Sequence, residues 1–205
     1  MKIFKKNTVV LVILFFIFSA CYAQDANEYC REGMEDMSVG KFGQAREKFE
    51  EAFSIDESSL SAQIGLSIIE AVEKQKIKRE AAIYTAKGGI CADLEKYDTA
   101  ISLYRQAIAI NPDFATAHLA LGVVYRVKGM YDEAINEFKK VITIDPNYAI
   151  AYYNLGLAYY HKGEYKSAIK YCNKAWELGY RSLCISQLLE ALHLVTEDST
   201  RESKP

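Results

Sequence analysis

The chain has 205 residues, 50% hydrophobic and 25% charged, with a net charge of −2, three prolines and five cysteines. That composition belongs to a folded globular chain and excludes disorder over most of its length. It also excludes the basic excess needed to neutralise nucleic-acid phosphates.

The first residues differ from the rest. "MKIFKK" carries three lysines and no acid, and an almost wholly apolar run from Thr8 to Ala20 follows. A basic head, an apolar run of about a dozen residues and then small residues read as an export signal over residues 1–20. A membrane span needs roughly 20 apolar residues, more than this run supplies comfortably. "IFSAC" resembles a bacterial lipobox, with Ser19 and Ala20 before Cys21. The resemblance implies that Cys21 is lipidated and becomes the mature N-terminus, tethered to a membrane by about 0.8 kcal/mol per buried methylene. Two alternatives stay open: a cut after Ala23 in "CYAQ", giving a soluble secreted chain, and an uncleaved anchor. The chain is therefore expected to be exported, to a periplasm or an outer membrane, or to be secreted.

Residues 26–59, "ANEYCREGMEDMSVGKFGQAREKFEEAFSIDESS", carry two apolar stretches at helical spacing, with Gly40 between them. Residues 60–80 are also helical by pattern, with Ile64, Ile68, Ile69 and Val72 on one side, but lack a second helix of their own. They read as an irregular helical insertion. Two arrangements fit: an added helix, which is preferred, or one long helix running into the next segment. "KQKIKRE" (Lys74–Glu80) sets four cations in a short span. A solvated helix end is the simple reading, and contact with anionic lipid or an acidic partner is the sharper one.

From Ala81 the chain repeats itself. Copies start at Ala81, Ala115 and Ala149, a constant offset of 34 residues. Gly88, Gly122 and Gly156 share a column, as do Tyr97, Tyr131 and Tyr165, and Ala100, Ala134 and Ala168. Gly129 and Gly163 break the two helices of their copies, and Pro112 and Pro146 close two of the units. Residues 26–59 fit the same columns through Gly33, Gly40, Phe42, Ala45, Phe49 and Ala52, with Glu57 in place of the closing proline. A fixed period of this size means a stacked array, because one hairpin cannot bury its own apolar face.

These columns resemble the tetratricopeptide repeat, a helix–turn–helix unit. "AYYNLGLAYYHKGEYKSAIKYCNKA" meets its pattern almost fully. The resemblance implies an all-α fold, a right-handed superhelical α-solenoid. Its repeats would lie at 26–59, 81–114, 115–148 and 149–182. Residues 183–195, "LCISQLLEALHLV", read as a capping helix that shields the open end, and residues 196–205 as a disordered polar tail.

Catalytic signatures are scarce. His118 takes the column of Tyr84 and Tyr152 and reads as a packing residue; His161 reads as solvent-facing. No histidine has metal-ligand spacing with a cysteine or carboxylate. "KGGICADL" lacks the Lys-Ser/Thr of a phosphate loop, and no serine sits in a nucleophile elbow. No cofactor, metal, small-molecule substrate or nucleic acid is inferred. Cys91 and Cys172 stand in aromatic columns and read as buried thiols. A Cys172–Cys184 disulfide is an alternative that export would permit.

In the resembled family the first helix of each repeat lines a concave groove. The corresponding columns give Leu119, Val123 and Arg126, then Tyr153, Asn154, Leu157 and Tyr160, with Thr85, Ala86, Gly89 and Ala120 in the same columns. Chaperone-binding members hold a C-terminal carboxylate with Lys, Asn and Arg in the second, fifth, sixth and ninth columns. Here the fifth column holds Thr85, Leu119 and Tyr153, and the ninth Gly89, Val123 and Leu157. The clamp is absent and that activity is not implied. What remains suits an apolar strip of a protein partner, with Tyr153 and Tyr160 as anchors. The expectation is a non-catalytic interaction scaffold of the bacterial envelope. A self-associating structural component is the alternative, and an enzyme of unknown class the distant third.

Overall fold

Six of the nine described helices end in the same backbone device, and that device sets the hairpins. In the computed structural model, residues 24–57 and 59–180 are described. They hold a first helix, α1, over 24–38, followed by α2 (Phe42–Ile55), α3 (Leu60–Glu73), α4 (Arg79–Asp93), α5 (Tyr97–Ile110), α6 (Ala115–Val127), α7 (Tyr131–Ile144), α8 (Ala149–His161) and α9 (Tyr165–Glu177). No strand occurs among the described residues. The chain divides into two compact units, residues 1–90 and 91–205. The export head, the lipidation candidate Cys21, the capping helix at 183–195 and the tail lie outside the described residues.

The turn from α6 to α7 shows the device. The N–H of Gly129 donates to the Arg126 carbonyl at 3.0 Å and that of Met130 to the Tyr125 carbonyl at 2.9 Å. This paired closure satisfies two helix-end carbonyls and needs a left-handed residue after the helix. Gly129, at φ +77°, supplies it without steric cost. The same pair of bonds closes α1 at Gly40, α8 at Gly163 and α9 at Gly179. It also closes α3 at Gln75 (φ 54°) and α4 at Glu95 (φ 57°), where a side chain must tolerate the left-handed region.

In the first unit, Phe49 of α2 is fully buried and wedged between two glycines. A Cβ on Gly33 of α1 would sit 2.9 Å from its ring, and one on Gly65 of α3 would sit 2.5 Å away. Both helices approach α2 this closely only because neither has a side chain there. Helix α3 starts at Ser59, whose side chain accepts from the Ala62 N–H at 3.4 Å. Ile68 and Ile69 are buried. The five residues 74–78 separate α3 from α4, so residues 60–80 form a distinct helix and a turn rather than one long helix. The cations of that turn are exposed at Lys74, Lys76 and Lys78, and Lys74 pairs with Glu70. Arg79 instead donates to the Gly40 carbonyl at 3.1 Å and lies 4.6 Å above the Phe42 ring.

In the second unit, α5 packs on α6, α6 on α7, α7 on α8 and α8 on α9, and α6 also touches α8. Ala100, Ala107, Ala134, Ala151 and Ala158 bring the backbones together around Tyr104, Leu121, Tyr125, Phe138, Val141 and Leu155. Contacts between successive repeats recur in register. Lys128 pairs with Asp98, and Lys162 pairs with Asp132 at 2.7 Å. Arg105 donates to the Tyr125 hydroxyl at 2.6 Å and lies 5.9 Å above that ring, and Lys139 lies 5.9 Å above the Tyr159 ring. Equal sequence offsets thus reproduce equal spatial neighbours, which defines an array.

Candidate functional site

Helices α6 (ATAHLALGVVYRV) and α8 (AIAYYNLGLAYYH) contain no aspartate or glutamate. In this unit the acids sit elsewhere, such as Asp132, Glu133 and Glu137 on α7 and Glu177 on α9. The two neighbouring helices therefore form a wall of small, aliphatic and aromatic side chains whose only permanent charge is Arg126.

The seven sequence-derived residues on this wall separate by burial. Leu119 and Asn154 are buried, 5% and 7% exposed. The Asn154 amide donates to the Ile150 carbonyl of its own helix at 3.0 Å. These two side chains are packing residues and offer a partner little surface. Thr85 and Ala86, in the other unit, are buried as well. Val123, Arg126, Tyr153 and Leu157 are half-buried, and Tyr160 is 38% exposed.

The rings are ordered by one another. Tyr153 leans on Tyr180 at 5.1 Å between centroids, and Tyr160 on Tyr165 at 5.9 Å. His161 takes Tyr160 edge-on and stacks flat on Tyr131, both at 5.4 Å. Tyr131, Tyr165 and Tyr180 extend the aromatic surface beyond the residues read from the sequence. The first two stand in the tyrosine column, and Tyr165 is 37% exposed. His161 is exposed, as its place at the end of a first helix implies.

Arg126 is the electrostatic singularity of the wall. Its Nε is buried and has no hydrogen-bond acceptor. Among the described residues no ion pair includes it. Burial pulls its pKa below the ordinary arginine value, opposed by the phenols of Tyr153 and Tyr131.

A second polar cluster joins α6 to α7. His118 Nδ1 is 2.6 Å from a Glu137 carboxylate oxygen, and Nε2 is 2.8 Å from the Pro112 carbonyl oxygen. Both ring nitrogens are thus engaged, one by α7 and one by the loop that precedes α6. Burial alone would push the Glu137 carboxyl up; the His118 bond and Lys140, 2.8 Å away, bring it below its ordinary value. His118 is thus a buried residue, as its column implies, with a buried acid as its partner. A cavity of about 490 Å³ opens beside this pair, lined in part by Ile108, Pro112 and Ile144. His118, in its lining, has both ring nitrogens engaged.

Cysteine chemistry is quiet. Cys172 is fully buried, which pushes its thiol up to about 11. Its suggested partner Cys184 lies outside the described residues. Cys30 is buried beside the Ser59 hydroxyl at 3.6 Å, and Cys91 packs half-buried against the second unit's core. Among the described residues, no three His, Cys, Asp or Glu side chains gather to hold a metal. No helix among them is long and apolar enough to cross a membrane.

A TPR-repeat family model matches residues 88–129 and 124–163, and a tetratricopeptide-repeat model matches 149–178. Among solved structures, the chain is similar to the Sgt2 TPR domain from Aspergillus fumigatus. The identity is 25% and the TM-score 0.59, over 63% of this chain and 87% of that one. It also matches the first TPR of Spaghetti (RPAP3) bound to an HSP90 peptide, with 18% identity and a TM-score of 0.57 over 58% and 94%. A third match is the second TPR domain of human RPAP3 in complex with an HSP70 peptide, with 21% identity and a TM-score of 0.53 over 56% and 95%. The latter two establish likeness of fold. No curated protein sequence matches the chain. With its helical hairpins, its 34-residue columns and these matches over residues 88–178, the chain belongs to the tetratricopeptide-repeat family.

Proposed function

We propose that this protein is a non-catalytic scaffold that binds a segment of a protein partner on the wall formed by α6 and α8. The observation that carries the reading is the half-buried, aromatic-rich, acid-free surface of Val123, Arg126, Tyr153, Leu157 and Tyr160. Such a surface gains by covering its rings: tyrosines that already lean on neighbours lose little side-chain entropy on binding. The RPAP3 domains bind HSP90 and HSP70 peptides, which supports a peptide as the ligand class. The clamp columns differ here, so the chaperone tail itself is not the ligand.

The basic and apolar head at residues 1–20 supports an exported protein of the bacterial envelope, with Cys21 as the lipid attachment point or a cut after Ala23. Intact-mass measurement of the mature chain separates the two: a diacylglyceryl mass on Cys21 against an unmodified N-terminal Gln24.

Peptide selection tests the binding reading. Random peptides selected on the full chain should bind it and lose most of their affinity for the Tyr153→Ala, Tyr160→Ala double variant. Two anchor rings removed from one surface cost about 2 kcal/mol or more each when they are hot spots, a combined loss well beyond tenfold. Peptides that bind the double variant as tightly as the parent would reject the wall.

A further inference from the structure

We infer that the segment bound on the α6–α8 wall carries an acidic side chain, aspartate or glutamate, set among apolar residues, and that Arg126 is the residue that selects it. The inference rests on the binding reading above and names the chemistry of its ligand.

Three observations converge on it. First, the wall has no acid of its own: neither α6 nor α8 contains aspartate or glutamate. Second, Lys128 and Lys162, which cap α6 and α8, are already committed, as is Lys140 of α7. Lys128 pairs with Asp98, Lys162 with Asp132 and Glu164, and Lys140 with Glu137. Third, among the described residues Arg126 is in no ion pair. Its Nε is buried near the phenols of Tyr153 and Tyr131 and lacks an acceptor. A buried guanidinium nitrogen without an acceptor is costly to keep, and a chain that only needed packing there would do better with methionine or leucine. The downward pull on the Arg126 pKa reports the same desolvation.

A carboxylate completes this position. The guanidinium presents a planar fork of donors that matches two carboxylate oxygens, and the low-dielectric surroundings strengthen the bond formed. A phosphate fits less well. It brings nearly two charges, and the only permanent cation on α6 and α8 is one guanidinium. The apolar side chains flanking Arg126 demand that the acid arrive on an otherwise apolar segment.

The test is a selection followed by a cycle. Peptides of about a dozen random residues are displayed with their C-termini fused to the carrier, so no free C-terminal carboxylate is present. Those retained by the full chain should be enriched in aspartate or glutamate next to apolar residues. The best of them is then synthesised with an amidated C-terminus, once with the acid and once with the matching amide. Its affinity for the parent, Arg126→Lys and Arg126→Gln is read by fluorescence polarisation. Replacing the acid by the amide should weaken binding to the parent about tenfold or more and change binding to Arg126→Gln by less than about twofold. Arg126→Lys, which keeps the charge without the fork, should fall between them. Circular dichroism confirms that each variant is folded, and Arg126→Lys carries the test alone if Arg126→Gln is not.

Retained peptides without acid enrichment, or an acid preference that survives in Arg126→Gln, would overturn the assignment while leaving the wall as a binding surface. Affinity that depends on a free C-terminal carboxylate and not on the internal acid would overturn it equally. Failure to retain any peptide, or equal binding by the Tyr153→Ala, Tyr160→Ala variant, would remove the wall and this inference with it.

Discussion

The hairpins α6–α7 and α8–α9 put the same columns in contact and fill them with different chemistry. In the first, the Gly122 backbone meets the fully buried Phe138 ring; in the second, Gly156 meets the Cys172 thiol. The His118–Glu137 pair of the first takes the place of the Tyr152–Tyr171 ring contact of the second, at 6.5 Å. On the α6–α8 wall, Leu119 and Arg126 of the first correspond to Tyr153 and Tyr160 of the second. The array thus constrains which positions touch and leaves open whether the contact is a ring, a thiol or a hydrogen-bonded polar pair. That freedom is where a repeat protein writes its specificity.

The largest effect expected from breaking this comparison is at the core column. Phe138→Ala removes a fully buried ring and should cost about 3–5 kcal/mol by urea denaturation. Cys172→Ala, its counterpart, should cost about 1 kcal/mol, because far less volume leaves. Equal losses would mean that the two columns are not equivalent.

Next comes the buried pair. Glu137→Gln or His118→Leu strands its partner's hydrogen-bonding groups and should cost about 2–3 kcal/mol each. The double change His118→Tyr, Glu137→Tyr writes the α8–α9 chemistry into α6–α7, and should recover stability relative to either single tyrosine variant. The pH dependence has a defined sign. Because the folded Glu137 carboxyl lies below its ordinary value of 4.5, its contribution is present above that pH and is lost as the pH falls through the folded value. Glu137→Gln should therefore flatten the acid limb of the stability curve below about pH 4.5 and lower stability at neutral pH.

A smaller effect sharpens the comparison of the turns. Glu95 occupies the column of Gly129 and Gly163 and holds the same left-handed backbone. Glu95→Gly should stabilise the chain by about 1 kcal/mol, whereas Gly129→Ala should destabilise it by a similar amount. Both are read as shifts in the midpoint of thermal unfolding. The smallest effect belongs to the repeating ion pairs. Lys162 and Asp132 are both partly or largely exposed, so Asp132→Asn should change stability by less than about 1 kcal/mol and less still at high salt.

Much of this was legible in the order of residues. The glycine columns mark where helices touch and where they end, and both roles hold at Gly122, Gly156, Gly129 and Gly163. The groove columns of α6 and α8 came from the family resemblance rather than from periodicity. Periodicity does not report how far a neighbour covers a given side chain. Leu119 and Asn154 share helical faces with Val123 and Leu157 yet are buried. Gly65 looks like an ordinary helical glycine until Phe49 is seen against it. The partner of His118 was hidden because the pairing crosses two helices and its column in other copies holds aromatic or aliphatic residues.

The sequence by itself determined the period, the hairpins and the near neighbours, because a constant offset between helical residues repeats the same local geometry in every copy. Only the tertiary structure decided which wall residues remain accessible, that α3 and α4 are separate helices, and that the Arg126 Nε is left without an acceptor among the described residues. Accessibility and charge pairing depend on what other helices bring near a side chain, and helical period alone carries no information about that.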